Sequence, residues 1–195
     1  MKERLFWAVC FSVLILQGLA FGQDKPRYVT DVKPFPRQPI EILSKSVGDK
    51  TLSPSGEVLA GTSWIKDFTL EVKNISLKNI VGANISFEIA ATGNMKFPLL
   101  LPLFYNLHNN SAVKSESVLR PGEVTTIRVQ YYDNVVVALR SSGVKPDDVT
   151  NAKLSVRSID FDDDTRWNVG FDNRRDPNDP EKWILSSSRL ESPRQ

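Results

Sequence analysis

Asp160, Asp162 and Asp164 fall at alternate positions, with Asp163 among them. Carboxylates at that spacing offer a hard cation such as calcium several oxygens in one small volume. Asp172, Asp176 and Asp179 follow and could add ligands from the next loop. An EF-hand loop begins this way, but it needs Gly at its sixth position and Glu at its twelfth. This chain has Thr165 and Phe171 there. The same residues also suit a solvated hairpin turn, because aspartate hydrogen-bonds readily to turn backbone.

A second group of residues could recognise a partner. Phe97, Leu100, Phe104 and Tyr105 belong to an apolar run interrupted by Pro98 and Pro102. Exposed, the run would be a patch for a protein or a membrane surface. Buried, it would be a loop closing one end of the fold, and burial is the usual fate of large apolar runs. Trp64, Trp167 and Trp183 could form an aromatic platform for a sugar, or could plug the core where strands begin and end. Phe97, Leu100, Phe104, Tyr105, Trp167 and Trp183 are therefore the candidate interaction residues, and Asp160, Asp162 and Asp164 the candidate metal ligands.

Catalysis has little to stand on. His108 is the sole histidine and lies in a polar, Asn-rich stretch. There is no Gly-x-Ser-x-Gly elbow, His-Glu-x-x-His pair or Gly-rich phosphate loop. No catalytic residue and no cofactor is expected. Asn74, Asn84 and Asn109 each fit the N-glycosylation pattern.

The elements that would carry these residues are strands. In Trp64–Ile89, Phe68, Leu70 and Val72 alternate with Thr69, Glu71 and Lys73, and Val81, Ala83, Ile85, Phe87 and Ile89 repeat the pattern. Period-two alternation marks half-buried strands. The polar, turn-tolerant residues Asn74, Ser76, Lys78 and Asn79 predict a hairpin turn between them. Ile40 and Ile42 begin an earlier strand, and Gly48 to Ser63 is loop-like. Leu119-Arg120-Pro121-Gly122-Glu123 is a tight turn leading into a strand over Val124 to Tyr131. Asp133 could cap a short helix ending before Gly143, although Val135-Val136-Val137 also suits a strand. Leu154 and Val156 alternate in one parity and Ile159 and Phe161 in the other, which predicts a β-bulge near Arg157-Ser158.

Lys2 and Arg4, the apolar run Leu5 to Leu16 and the small residues before Gly22 form a secretory signal peptide over residues 1–22. Cys10, the only cysteine, lies inside that run, so the mature chain would contain no thiol. Removing Lys2, Arg4 and Glu3 leaves 23 basic against 22 acidic residues. That balance gives no reason to expect nucleic acid as a partner. No second apolar stretch of spanning length follows, so no membrane span is expected after cleavage. Residues 23–38, with Pro26, Pro34 and Pro36, predict a Pro-rich linker. A β-sandwich over 39–185 and a frayed tail over 186–195 complete the domain plan.

Short strands with turns at steady spacing predict an all-β, immunoglobulin-like antiparallel sandwich with at most one short helix. Trp64 to Ser76, the Leu119 to Glu123 turn, Phe161-Asp162-Asp163-Asp164-Thr165-Arg166-Trp167 and Arg175 to Trp183, in this order, resemble an uncharacterised family of secreted bacterial proteins. The resemblance covers most of residues 40–185. It implies export and a β fold, and carries no catalytic residues. Similar sequences have Asp-Gly-Thr where this chain has Asp163-Asp164-Thr165. The expectation is a non-enzymatic secreted or periplasmic module that binds a protein or glycan. The alternative is a carbohydrate- or calcium-binding domain using the C-terminal Asp/Trp hairpin.

Overall fold

A computed structural model describes residues 24–91, 98–106, 118–130 and 132–186, with backbone only for 103–106. Residues 1–22, expected as a signal peptide, Phe97, His108, Asn109 and the residues from 187 onward lie outside the described residues. Among the described residues, two sheets, one α-helix and a short 3-10 turn at Pro146–Asp148 make up the fold. The smaller sheet has the order β3-β2-β5-β8, formed by Lys50–Thr51, Ile40–Val47, Phe68–Asn74 and Val124–Arg128.

The larger sheet is organised on β9 (Asn151–Phe161). One edge of β9 pairs along its length with β6 (Ile80–Ile89), which in turn pairs with β7 (Leu99–Asn106). The other edge forks. Its first half pairs with β1 (Lys25–Asp31), beyond which lies β4 (Glu57–Ala60). Its second half pairs with β10 (Thr165–Asn168), then β11 (Phe171–Asp176) and β12 (Asp179–Leu185). The β1–β9 pair is parallel and the others are antiparallel.

The strands over Phe68–Asn74 and Ile80–Ile89 exist, but they are not a hairpin. β5 and β6 belong to different sheets. Their apolar faces meet across the core, where the Phe68 and Phe87 rings lie 4.7 Å apart. Trp64 packs on both, at 6.4 and 5.8 Å. The alternation is correct for two half-buried strands, but alternation does not say which strand pairs with which.

The connection becomes an arch because of Asn74, which is fully buried. Its side-chain amide donates to the carbonyls of Lys78 (2.8 Å) and Leu119 (2.9 Å). Its Oδ1 accepts from the backbone N–H (2.9 Å) and hydroxyl (2.7 Å) of Ser76. Its own backbone bonds to Gly122 and Glu123. The Arg120–Glu123 turn is therefore docked on the end of β5. Gly122 at φ +80° supplies the left-handed residue that a type II turn needs after Pro121.

Residues 23–38 are not a linker. β1 lies inside the larger sheet, with Val29 and Arg27 buried. Pro26 sits before pairing with β9 begins at Tyr28, so its missing N–H removes no bond on that side. Arg27 Nη1 donates to the carbonyls of Asp147 and Val149, and Nη2 to that of Gly61. Trp64 Nε1 shares the Val149 carbonyl at 2.9 Å. Burial lowers the Arg27 pKa, against the opposing pull of Asp147 and Asp148. The expected loop Gly48 to Ser63 contains two short strands, β3 and β4.

The described part of the Phe97–Tyr105 run is also not a loop. From Leu99 it forms β7, an outer strand paired with β6, with Pro102 opposite Ser86. An outer position tolerates a proline because one of its edges makes no ladder. Tyr132–Ser141 forms α1, in which Val135 and Leu139 share the buried face. Bonds from Gly143 N to Arg140 O and from Val144 N to Leu139 O close its end as a Schellman motif. The bulge in β9 falls where the parity shift predicts: Val156 faces Ile85 and Ser158 faces Asn84, leaving Arg157 extra.

Replacing Asn74 with Ala removes two donors and an acceptor from a buried arch. Two backbone carbonyls lose one donor each, Lys78 O keeping Ser76 Oγ and Leu119 O keeping Ile80 N, and the Ser76 N–H loses its acceptor. Asn74→Ala should cost about 3 kcal/mol in urea unfolding; a loss under about 1 kcal/mol would contradict this role.

Candidate functional site

The acidic turn between β9 and β10 is built from local pairs. Arg166 holds Asp160 through two bonds, Nε to Oδ1 and Nη2 to Oδ2, the latter at 2.8 Å. Asp162 accepts from Asn79 Nδ2 at 2.7 Å. Asp163 accepts from Lys78 Nζ at 2.7 Å and from the backbone and hydroxyl of Thr165. Asp164 takes the left-handed position at φ +57°, a conformation aspartate tolerates better than most residues. Asp160, Asp162 and Asp164 are thus not gathered around a common point. Among the described residues no group of three or more His, Cys, Asp or Glu side chains could hold a metal ion. The expected cation site is corrected to a paired turn, because Arg166, Asn79 and Lys78 bind Asp160, Asp162 and Asp163, while Asp164 serves as the left-handed turn residue.

Burial tends to raise the Asp163 pKa, but Lys78 and Thr165 outweigh it and hold the carboxyl below its ordinary value. A depressed folded pKa contributes stability above the unfolded value, and that contribution is lost as pH falls through the folded one. In Lys78→Met, the Asp163 titration followed by carbon-detected NMR should move up toward 3.8. The variant's stability should then lose less than that of the parent below that pH. An unmoved titration would exclude the pairing.

The tryptophans do not form a platform. Trp167, expected as an interaction residue, is 1% exposed and lies in the core. Its ring meets Phe35 edge-on at 6.4 Å, and its Nε1 donates to the Pro36 carbonyl at 3.1 Å. Trp64 is buried as described. Trp183 is half-buried, with the guanidinium carbons of Arg166 and Arg175 each 4.1 Å from its ring centroid. Leu100 is 48% exposed on β7 beside a cavity of about 280 Å3 against α1. The backbones of Phe104 and Tyr105 pair with Asn84 and Ala83.

A different feature emerges from the β1–β2 connection, residues 32–39. Phe35-Pro36-Arg37-Gln38 forms a turn, with Gln38 N donating to Phe35 O and Arg37 at φ +57°. This strap docks on the β10–β11 turn. Arg37 donates to Asp172 Oδ2 (2.6 Å) and the Gly170 carbonyl (3.1 Å), beside the Trp167–Pro36 bond. A Cβ on Gly170 would stand 3.4 Å from Pro36 Cδ.

Behind the strap the two sheets part, leaving a groove of about 630 Å3. Val32, Phe35, Ile42, Leu154 and Val156 supply apolar wall, and Asp31, Arg37 and Glu41 supply charge. Asp31 is bound by Lys45 at 2.6 Å across the sheets. That volume lies in the range of small-molecule and side-chain pockets. Sequence reading missed the groove because its walls come from residues far apart in the chain. The one local signal was Pro34-Phe35-Pro36, a rigid segment carrying an aromatic residue. Comparison with family models, curated proteins and solved structures finds no match to this chain.

Val169 and Gly170 form the two-residue turn under the strap, at φ +40° and +93°. A β-branched residue at positive φ is strained. Val169→Asn, which suits that turn position, should stabilise the protein by about 1 kcal/mol in thermal unfolding. A drop in stability would show that the valine side chain matters more than its backbone strain.

Proposed function

We propose that this chain is an exported, non-enzymatic binding module of the immunoglobulin-like kind, with the groove between its sheets as the binding site. The groove itself carries the reading: an opening of about 630 Å3 with the partly exposed Val32, Phe35 and Ile42 at its mouth and the buried Leu154 and Val156 behind them. The two facing sheets support the sandwich assignment, and the N-terminal pattern of residues 1–22 supports export. No described helix is long and apolar enough to cross a membrane. Filling the groove with one apolar side chain would be worth about 1.5–3 kcal/mol.

The neutral dye N-phenyl-1-naphthylamine tests the reading with mature protein. Saturable binding should quench Trp167, which touches the groove-lining Phe35. Ile42→Asp should weaken it by about 10-fold or more. Absence of saturable binding, or equal binding by the variant, would remove the groove as the site.

A further inference from the structure

We infer that the groove accepts an extended peptide from another protein, which adds as a strand along the outer edge of β2. The inference rests on the groove being the binding site and names its ligand class. β2 pairs with β5 from Ile40 to Val47, but among the described residues the opposite edge is covered only from Lys45 to Val47, by β3 and by Leu52 N on the Lys45 carbonyl. Ile75 N donates to Pro39 O, which fixes the alternation: the ladder groups of Glu41 face Lys73, and those of Ile40 and Ile42 point away from β5. Gln38 Nε2 already caps the Ile40 carbonyl at 2.9 Å. Among the described residues the outward backbone groups of Ile42 have no strand to meet. Ile40, Glu41 and Ile42 also line the groove, so the open edge and the apolar wall are contiguous.

An incoming strand would gain main-chain hydrogen bonds from the edge and place alternate side chains against the partly exposed Val32, Phe35 and Ile42. Charge sets its polarity. Asp31 is neutralised by Lys45 and Arg37 by Asp172. Glu41 has no ion-pair partner among the described residues. The mouth therefore favours a peptide with a lysine or arginine between its apolar positions. The β2 register shift between Ile42 and Ser44, and Lys45 turned toward Asp31, end the usable edge. Such devices also block indiscriminate edge pairing, so the site takes a short segment.

The probe is a fluorescein-labelled hexapeptide of alternating valine and threonine with one threonine replaced by lysine, read by fluorescence polarisation. Saturable binding is expected, with at least a 10-fold loss when alternate peptide nitrogens are methylated. Glu41→Lys should reverse the preference toward a glutamate-bearing peptide without lowering Tm by more than a few degrees. Equal binding of the methylated peptide would overturn strand addition. If the neutral dye binds and responds to Ile42→Asp while no peptide binds, strand addition falls and the groove reading stands. If neither binds, both fall. Concentration-dependent dimerisation abolished by Glu41→Lys would assign the edge to a second copy and overturn the peptide reading.

Discussion

The carboxamide of Asn74 decides how the two sheets are joined. It uses both of its donors and accepts two bonds at its oxygen, so no hydrogen-bonding position is left unmet in a fully buried site. Two acceptors on the chain, the Lys78 and Leu119 carbonyls, require an NH2 group. Aspartate would present a second acceptor there, and leucine would take one donor from each carbonyl and leave the Ser76 N–H without its acceptor. Because the amide turns the chain away from β5, β6 leaves for the opposite sheet. Because the same residue anchors the Arg120–Glu123 turn, β8 starts in register beside β5. One side chain thus sets the sheet change and one strand pairing together.

The far end of the two-sheet core has its own buried polar centre. The Val149 carbonyl receives both Trp64 and Arg27, and Arg27 gathers the carbonyls of Asp147 and Gly61 as well. With polar fasteners at both ends and the Trp64, Phe68 and Phe87 rings between, the sheets are held close over most of their faces. The part they do not close lies beside the strap. There the Lys45–Asp31 pair spans the gap where a hydrophobic contact would otherwise draw the sheets together. An ion pair of this kind keeps its ends apart by side-chain length, and the groove is the space that remains.

The chain's alternating patterns give strand positions well, because period two survives whatever the strands pair with. β2, β5, β6, β8 and β9 stand where the apolar alternation puts them, and even the bulge at Arg157 is readable from a change of parity. Pairing is another matter. Nothing between Asn74 and Asn79 distinguishes a hairpin from an arch, since both use polar, turn-tolerant residues. Asn74 itself looks like a glycosylation site in the sequence and is a buried fastener in the fold. β1 is obscured by its proline, which signals a linker unless the position of β9 is known. The acidic turn misleads for a related reason: carboxylates at alternate positions look the same whether their partners are a cation or Arg166 and Lys78. The groove is the least legible feature, being a property of separation between sheets and not of any one segment.

β1 is the first described strand of the chain, and it has β4 on one side and β9 on the other. Arg27 finds the Val149 carbonyl 122 positions away. Closing so long a loop costs chain entropy before any of its contacts form. Such parallel, long-range pairing places a protein among the slower-folding topologies. The strand synthesised early therefore waits for the last third of the chain. Until Asn151 to Leu154 are available, the larger sheet has no edge against which β1 can complete its parallel ladder.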